Sequence, residues 1–200
     1  MTATRWGKNT REDNASSACA LILNAAKTCF ERNGLSITTM SHIAEEARVS
    51  RRTIYRYFQK KEDIIQNIVD EQSIAFLNIM DQELKNNHDT FIELIREYVV
   101  YMITYGPHTP EYELLLGSKN INKTQEYYYS SSVIADYWNE LTKEPFKTAQ
   151  QRGEIHSDIK HNELSRWVVR IILSYIAMPI DKTHLHSDID HFFIRSIATS

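Results

Sequence analysis

The chain has 200 residues, 42% hydrophobic and 24% charged, a balance that can bury a core without help from disulfides or metals. Only 5 Gly and 4 Pro occur, too few for the tight turns of an all-β sandwich or barrel, and no apolar run nears the roughly 18–20 residues that span a bilayer. The net charge of −3 conceals a local run of bases, since Arg48, Arg51, Arg52, Arg56, Lys60 and Lys61 lie within residues 48–61 with no acid among them. Residues 1–13 are polar and lack the apolar segment of a secretory signal, so an all-α, cytoplasmic protein with a flexible N-terminal tail is expected.

Ala18, Leu21, Ile22, Ala25, Ala26, Cys29 and Phe30 repeat with helical spacing and predict a first helix with one buried stripe. Asn14, Ser16 and Ser17 offer N-caps and Gly34 a stop, with Leu35 and Ile37 as a short apolar connector. Cys19 and Cys29 would stand about 15 Å apart on this helix, too far for a disulfide. Thr39 caps a second helix, Met40 to Ala47, with Ile43, Ala44 and Ala47 inward; Arg48 and Val49 break it. Ser50 caps a third, running to Tyr57, with Ile54 and Phe58 as its buried pair. Two short helices joined by a tight turn after a longer one make a helix-turn-helix.

That geometry gives the bases a purpose. With Ile54 and Phe58 inward, Arg51, Arg52, Tyr55 and Arg56 line the outer face of the third helix. An α-helix fits the major groove, where Arg bonds guanine O6 and N7 in bidentate fashion. Ser50, Thr53, Tyr55, Tyr57 and Lys61 carry polar tips suited to phosphate oxygens.

Further along, Lys61 to about Leu84 continues as a helix that would join the DNA reader to a body, and Asn86 to Asp89 is a turn. Phe91 to Met102 marks the next helix, which ends before Gly106-Pro107, and Pro110 can open a short one to about Leu116. Ile121 to Arg152 reads helical, kinked or split at Pro145 and stopped by Gly153. Glu163 to Met178 and Asp188 to Ala198, the latter capped by Asp188, complete about nine helices. The expected domains are 1–66, which carries the helix-turn-helix, and 67–200, the helical body.

The motif Ala25-Ala26, Phe30, Asn33-Gly34, Thr38-Thr39-Met40, Ile43-Ala44, Ala47-Arg48-Val49-Ser50, Thr53-Ile54-Tyr55-Arg56-Tyr57-Phe58 and Lys61-Glu62-Asp63-Ile64 resembles the N-terminal domain of TetR-family transcriptional regulators. The resemblance covers about residues 16–66. It implies a homodimeric bacterial regulator, usually a repressor, released from a palindromic DNA operator by a small ligand. On the matching positions it implies that Thr39 touches phosphate and Met40 lies near a base. Ser50, Arg51, Arg52, Thr53 and Tyr55 would lie on the recognition helix, and Tyr57 and Lys61 would hold the backbone. The family usually has Gly in the turn where this chain has Arg48, so either the turn is remodelled or Arg48 bears the strain of a positive φ and gains a phosphate contact.

Most of the 11 tyrosines fall in the body. Tyr98, Tyr101, Met102 and Tyr105 share a helix face and, with Tyr128 and Trp138, form the expected wall of a mostly apolar ligand site. The penultimate helix is apolar on two faces. Leu164, Val168, Ile172 and Tyr175 suit the core, whereas Trp167, Ile171, Ser174 and Met178, with Phe193 from the last helix, suit a two-fold dimer seam. No enzymatic motif, cofactor motif or complete metal-ligand set occurs, and His184, His186 and His191 read as solvated loop residues. The expected function is a repressor released by a small, largely apolar effector. The alternatives are a DNA-binding regulator without small-molecule induction, or a helical enzyme or carrier.

Overall fold

The computed structural model describes residues 10–110, 112, 121–179 and 181–199. The chain divides into two compact units, Met1–Ile68 and Val69–Ser200. In the first, α1 (Thr10–Ile37) is followed by α2 (Met40–Glu46), α3 (Arg51–Tyr57) and the opening turns of α4 (Lys61–Leu84). Ile22, Ala26, Cys29 and Phe30 of α1 meet Ile43 of α2, Ile54 of α3 and Ile64 of α4 in a core whose members are all at most 1% exposed. Each such Ile or Phe contributes about 1.5–3 kcal/mol by leaving water. Leu21, expected in the stripe, lies at its edge and stays 49% exposed. The helix starts at Thr10, ahead of the expected caps Asn14, Ser16 and Ser17, and Gly34 interrupts its last stretch with φ 76°. Both cysteines are free.

The second unit holds the rest of α4, then α5 (Phe91–Tyr105), a 3-10 turn (Gly106–His108), α6 (Ile121–Ser130), α7 (Ser132–Gln151), α8 (His161–Ala177) and α9 (Lys182–Asp188). A π-helical turn (Ile189–Ile194) and a last helical turn, α10 (Arg195–Ile197), close it. Thr90 caps α5 in a reciprocal box with Glu93, whose carboxylate its cap bonds hold below the ordinary range. Tyr98 of α5 is buried; its hydroxyl donates to Asp81 Oδ1 at 2.6 Å and its ring packs edge-on to Trp138 at 5.9 Å. The helix expected around Pro110 to Leu116 lies mostly outside the described residues. Among the described residues no strand forms, one isolated bridge pairs Ile155 with Ala198, and no helix is long and apolar enough to cross a membrane.

Two expected boundaries move. The run from Ile121 breaks at Ser131, while Pro145 remains inside α7. Ser131 Oγ accepts from Ile134 N at 3.0 Å and donates to Asp70 Oδ1 at 2.7 Å, which anchors a new helix start. Pro145 removes one backbone donor, but Trp138, Thr142, Phe146 and Ala149 keep one buried face running across it. Gly153, at φ 71°, does end this helix. The last helical run begins at Lys182, capped by Asp181 rather than Asp188, so His184 and His186 lie on a helix and not in a loop. Its wide turn brings both Phe193 and Ile194 inward and leaves Phe192 77% exposed.

Candidate nucleic-acid interface and ligand chamber

Thr39 opens the helix-turn-helix as the N-cap of α2. Its Oγ1 accepts from His42 N at 3.3 Å, and His42 Nδ1 accepts from Thr39 N at 3.4 Å, closing a capping box in which histidine stands where Glu or Gln is usual. Arg48 adopts φ 53°, with Arg48 N donating to Glu45 O and Val49 N to Ala44 O, each at 3.0 Å. These bonds are a Schellman ending, so the turn keeps the shape that glycine would give it and the arginine bears the strain. Ser50 then caps α3, its Oγ accepting from Thr53 N at 3.1 Å and pairing with Thr53 Oγ1 at 2.8 Å.

On α3, Ile54 and Phe58 are buried, and Arg51, Arg52, Tyr55 and Arg56 are exposed. Arg51 and Arg52 make no hydrogen bond or ion pair among the described residues, so both guanidinium forks are available. Arg56 Nη2 donates to Tyr57 Oη at 2.9 Å, with its guanidinium 4.8 Å from the Tyr57 ring centroid. Arg32 pairs with Glu46 at 2.9 Å and joins α1 to α2.

Two residues given DNA roles by resemblance are otherwise engaged. Met40 is 9% exposed and packs inward beneath α2. Lys61 Nζ donates to Leu35 O at 2.5 Å and Thr38 O at 2.9 Å, clasping the end of α1 to the start of α4. Asp63, which the sequence reading missed, accepts from Gln59 N and Lys60 N at 3.0 Å each and caps α4.

In the second unit an almost wholly apolar chamber of about 110 Å³ lies among α4, α5, α6, α7 and α8. Of the expected ligand residues, Met102 and Tyr128 line it. An adjoining groove of about 390 Å³ shares Tyr128 and Ile134 with the chamber and takes in Trp138. The remaining three lie elsewhere. Tyr98 is sealed in the core, where burial first and the Asp81 carboxylate second push its hydroxyl up in pKa. Tyr101 and Tyr105 pack on each other at 4.6 Å, and Tyr105 is 54% exposed. Ser73, Phe76, Ile172 and Ile176 line the chamber and were not anticipated. Ser73 carried one signal, a hydroxyl on the buried stripe of α4 between Val69 and Leu77.

Of the expected dimer residues, Trp167 and Met178 are 50% and 70% exposed, Ser174 is exposed and Ile171 half-buried. Phe193 is 2% exposed, inside its own subunit, because the π-helical turn directs Phe192 outward instead.

The family profile for bacterial regulatory proteins of the tetR family matches residues 22–68. The HTH-type transcriptional regulator UidR of Escherichia coli is 26% identical over 170 residues, 78% of each chain. The HTH-type transcriptional repressor BepR of Brucella suis is 25% identical over 158 residues, 76% of this chain and 74% of BepR. The crystal structure of RolR in complex with the ligand resorcinol superposes with a TM-score of 0.67 at 12% identity, covering 94% of this chain and 90% of RolR. The matched segment spans α2, α3 and the capped turn between them, and the likeness to RolR extends the same fold through the second unit. Residues 22–68 carry the DNA-reading domain of the tetR family, and the chain is a DNA-binding transcriptional regulator.

Proposed function

We propose that the protein is a homodimeric repressor that reads a palindromic operator with α3 and is released by a small, largely apolar molecule bound in the second unit. The observation that carries this reading is the pairing, in one chain, of a capped helix bearing free Arg51 and Arg52 with an apolar chamber in the second unit. In this reading Thr39, Ser50, Thr53, Tyr55, Arg56 and Tyr57 hold phosphates around the two base-reading arginines. BepR, a repressor, and RolR, crystallised with resorcinol, support the sign of control and the use of a small effector. The exposed apolar side chains Trp167, Met178 and Phe192, with half-buried Ile171, support a second copy as partner.

The test is selection of duplexes from a random pool by the purified chain, followed by titration at several salt concentrations. An inverted-repeat consensus is expected, with log K falling linearly against log salt. Binding without sequence preference, or with a single asymmetric half-site, overturns the reading. By linkage, an effector that weakens operator affinity tenfold must itself bind tenfold more weakly to the operator complex.

A further inference from the structure

The chamber constrains its occupant chemically, and the inference rests on the reading that the protein answers to a small molecule. An apolar cavity of about 150 Å³ takes one benzene-sized molecule. The chamber, at about 110 Å³, suits one six-membered ring or a chain of similar bulk. Phe76, Leu77, Met102, Ile172 and Ile176 supply hydrocarbon walls. Among the described residues no Asp, Glu, Lys, Arg or His lines it. Burial raises the pKa of the Tyr112 hydroxyl, which keeps that part of the wall neutral as well. Among the described residues a charged guest would therefore be desolvated without a counter-ion.

One polar atom stands out. Ser73 is 6% exposed, and its Oγ has no hydrogen-bond partner among the described residues. Helical Ser and Thr ordinarily return the hydroxyl to the carbonyl one turn back. Ser130, Thr142 and Ser165 of this unit do so, onto Glu126 O, Trp138 O and His161 O. Thr109, also on the chamber wall, bonds Gly106 O. Ser73 alone of these keeps its hydroxyl for whatever enters.

We propose that the chamber binds an uncharged molecule of one ring, or equivalent bulk, carrying a single hydroxyl or carbonyl that hydrogen-bonds Ser73. Calorimetry and ligand-observed NMR on the full chain, with phenol, cyclohexanol, toluene and benzoate as probes at pH 8, test it. Phenol and cyclohexanol should bind once per chain, toluene about tenfold more weakly, and benzoate not at all. Ser73→Ala should bring phenol to within about threefold of toluene, with the thermal midpoint unchanged or raised because an unmet buried hydroxyl is gone. Met102→Trp, which fills the chamber, should abolish binding of every probe while the helical dichroism stays intact. Benzoate binding as well as phenol, or a full phenol preference surviving in Ser73→Ala, overturns the proposal. So does failure of all the neutral probes to bind. If DNA binding then responds to a larger or charged compound, small-molecule control still stands and only the chamber assignment falls. Phenol bound through Ser73 with DNA affinity unchanged has the opposite meaning: the ligand class holds and release from the operator does not.

Discussion

The reading surface proposed for the first unit lies on one seven-residue helix, Arg51–Tyr57, whereas the chamber of the second takes its walls from five helices and the segment after Gly106. On α3 a side chain's direction follows from position alone: once Ile54 and Phe58 are inward, Arg51, Arg52 and Tyr55 must be outward. In the chamber no single helix decides the shape, because Ser73, Met102 and Ile172 come together only when their helices pack. A function carried by one helix face is therefore written in spacing, and a function carried by a cavity is written in tertiary packing.

The largest expected effect tests the second unit. Trp167→Asp puts a charge on an already half-exposed position, so the subunit should fold, but across a dimer seam the charge is buried unpaired on both protomers. Such burial costs about 3–5 kcal/mol. Sedimentation at micromolar concentration should show wild-type dimers and variant monomers. A wild-type monomer would sink the assignment of this face. On the first unit, Arg52→Ala should lose about 1–3 kcal/mol on the selected operator and almost nothing on random duplex. Equal losses on both would mean that Arg52 holds phosphate and that bases are read elsewhere on α3.

Lys61 sharpens the contrast, because even in the first unit spacing failed where a side chain reached across the fold. Its ammonium meets carbonyls at Leu35 and Thr38, more than twenty residues back in sequence. Lys61→Gln should cost about 1–2 kcal/mol of stability by loosening two charge-assisted bonds. The slope of log K against log salt should stay at the wild-type value, while Arg51→Ala lowers it by about one. A lowered slope with unchanged stability would return Lys61 to the phosphate backbone.

The other mismatches share that cause. The caps at Thr39 and Ser50, the inward pair on α3 and the stop at Gly153 rest on contacts a few residues apart, and the spacing located them. Met40, Tyr101 and Tyr105 have helical spacing compatible with several faces, and only packing chose one. Phe192 and Phe193 are adjacent, so a single wide turn decided which faced the core. Pro145 would have broken a solitary helix, but the buried face of α7 held it in place. Ser73 lies on the buried stripe of α4, and only packing decides whether its hydroxyl finds a partner.

The smallest effect is expected at Arg48, where strain and charge oppose each other. At φ 53° the Cβ of Arg48 crowds the backbone, a cost of about 1 kcal/mol that glycine does not bear. Glycine gives part of this back through the greater freedom of its unfolded chain. Arg48→Gly should therefore stabilise the first unit by about 0.5 kcal/mol and raise the thermal midpoint by a degree or two. The same change removes an exposed cation two residues before the cap of α3. If the side chain holds a phosphate, all duplexes weaken alike and the salt slope falls by about one. Arg48→Lys separates the two terms, because it keeps both the strain and the charge and should match the wild type in stability and slope. A variant glycine that binds DNA as tightly as arginine, on an unchanged slope, would show that the turn needs only its left-handed backbone and that the arginine is tolerated there without a contact of its own.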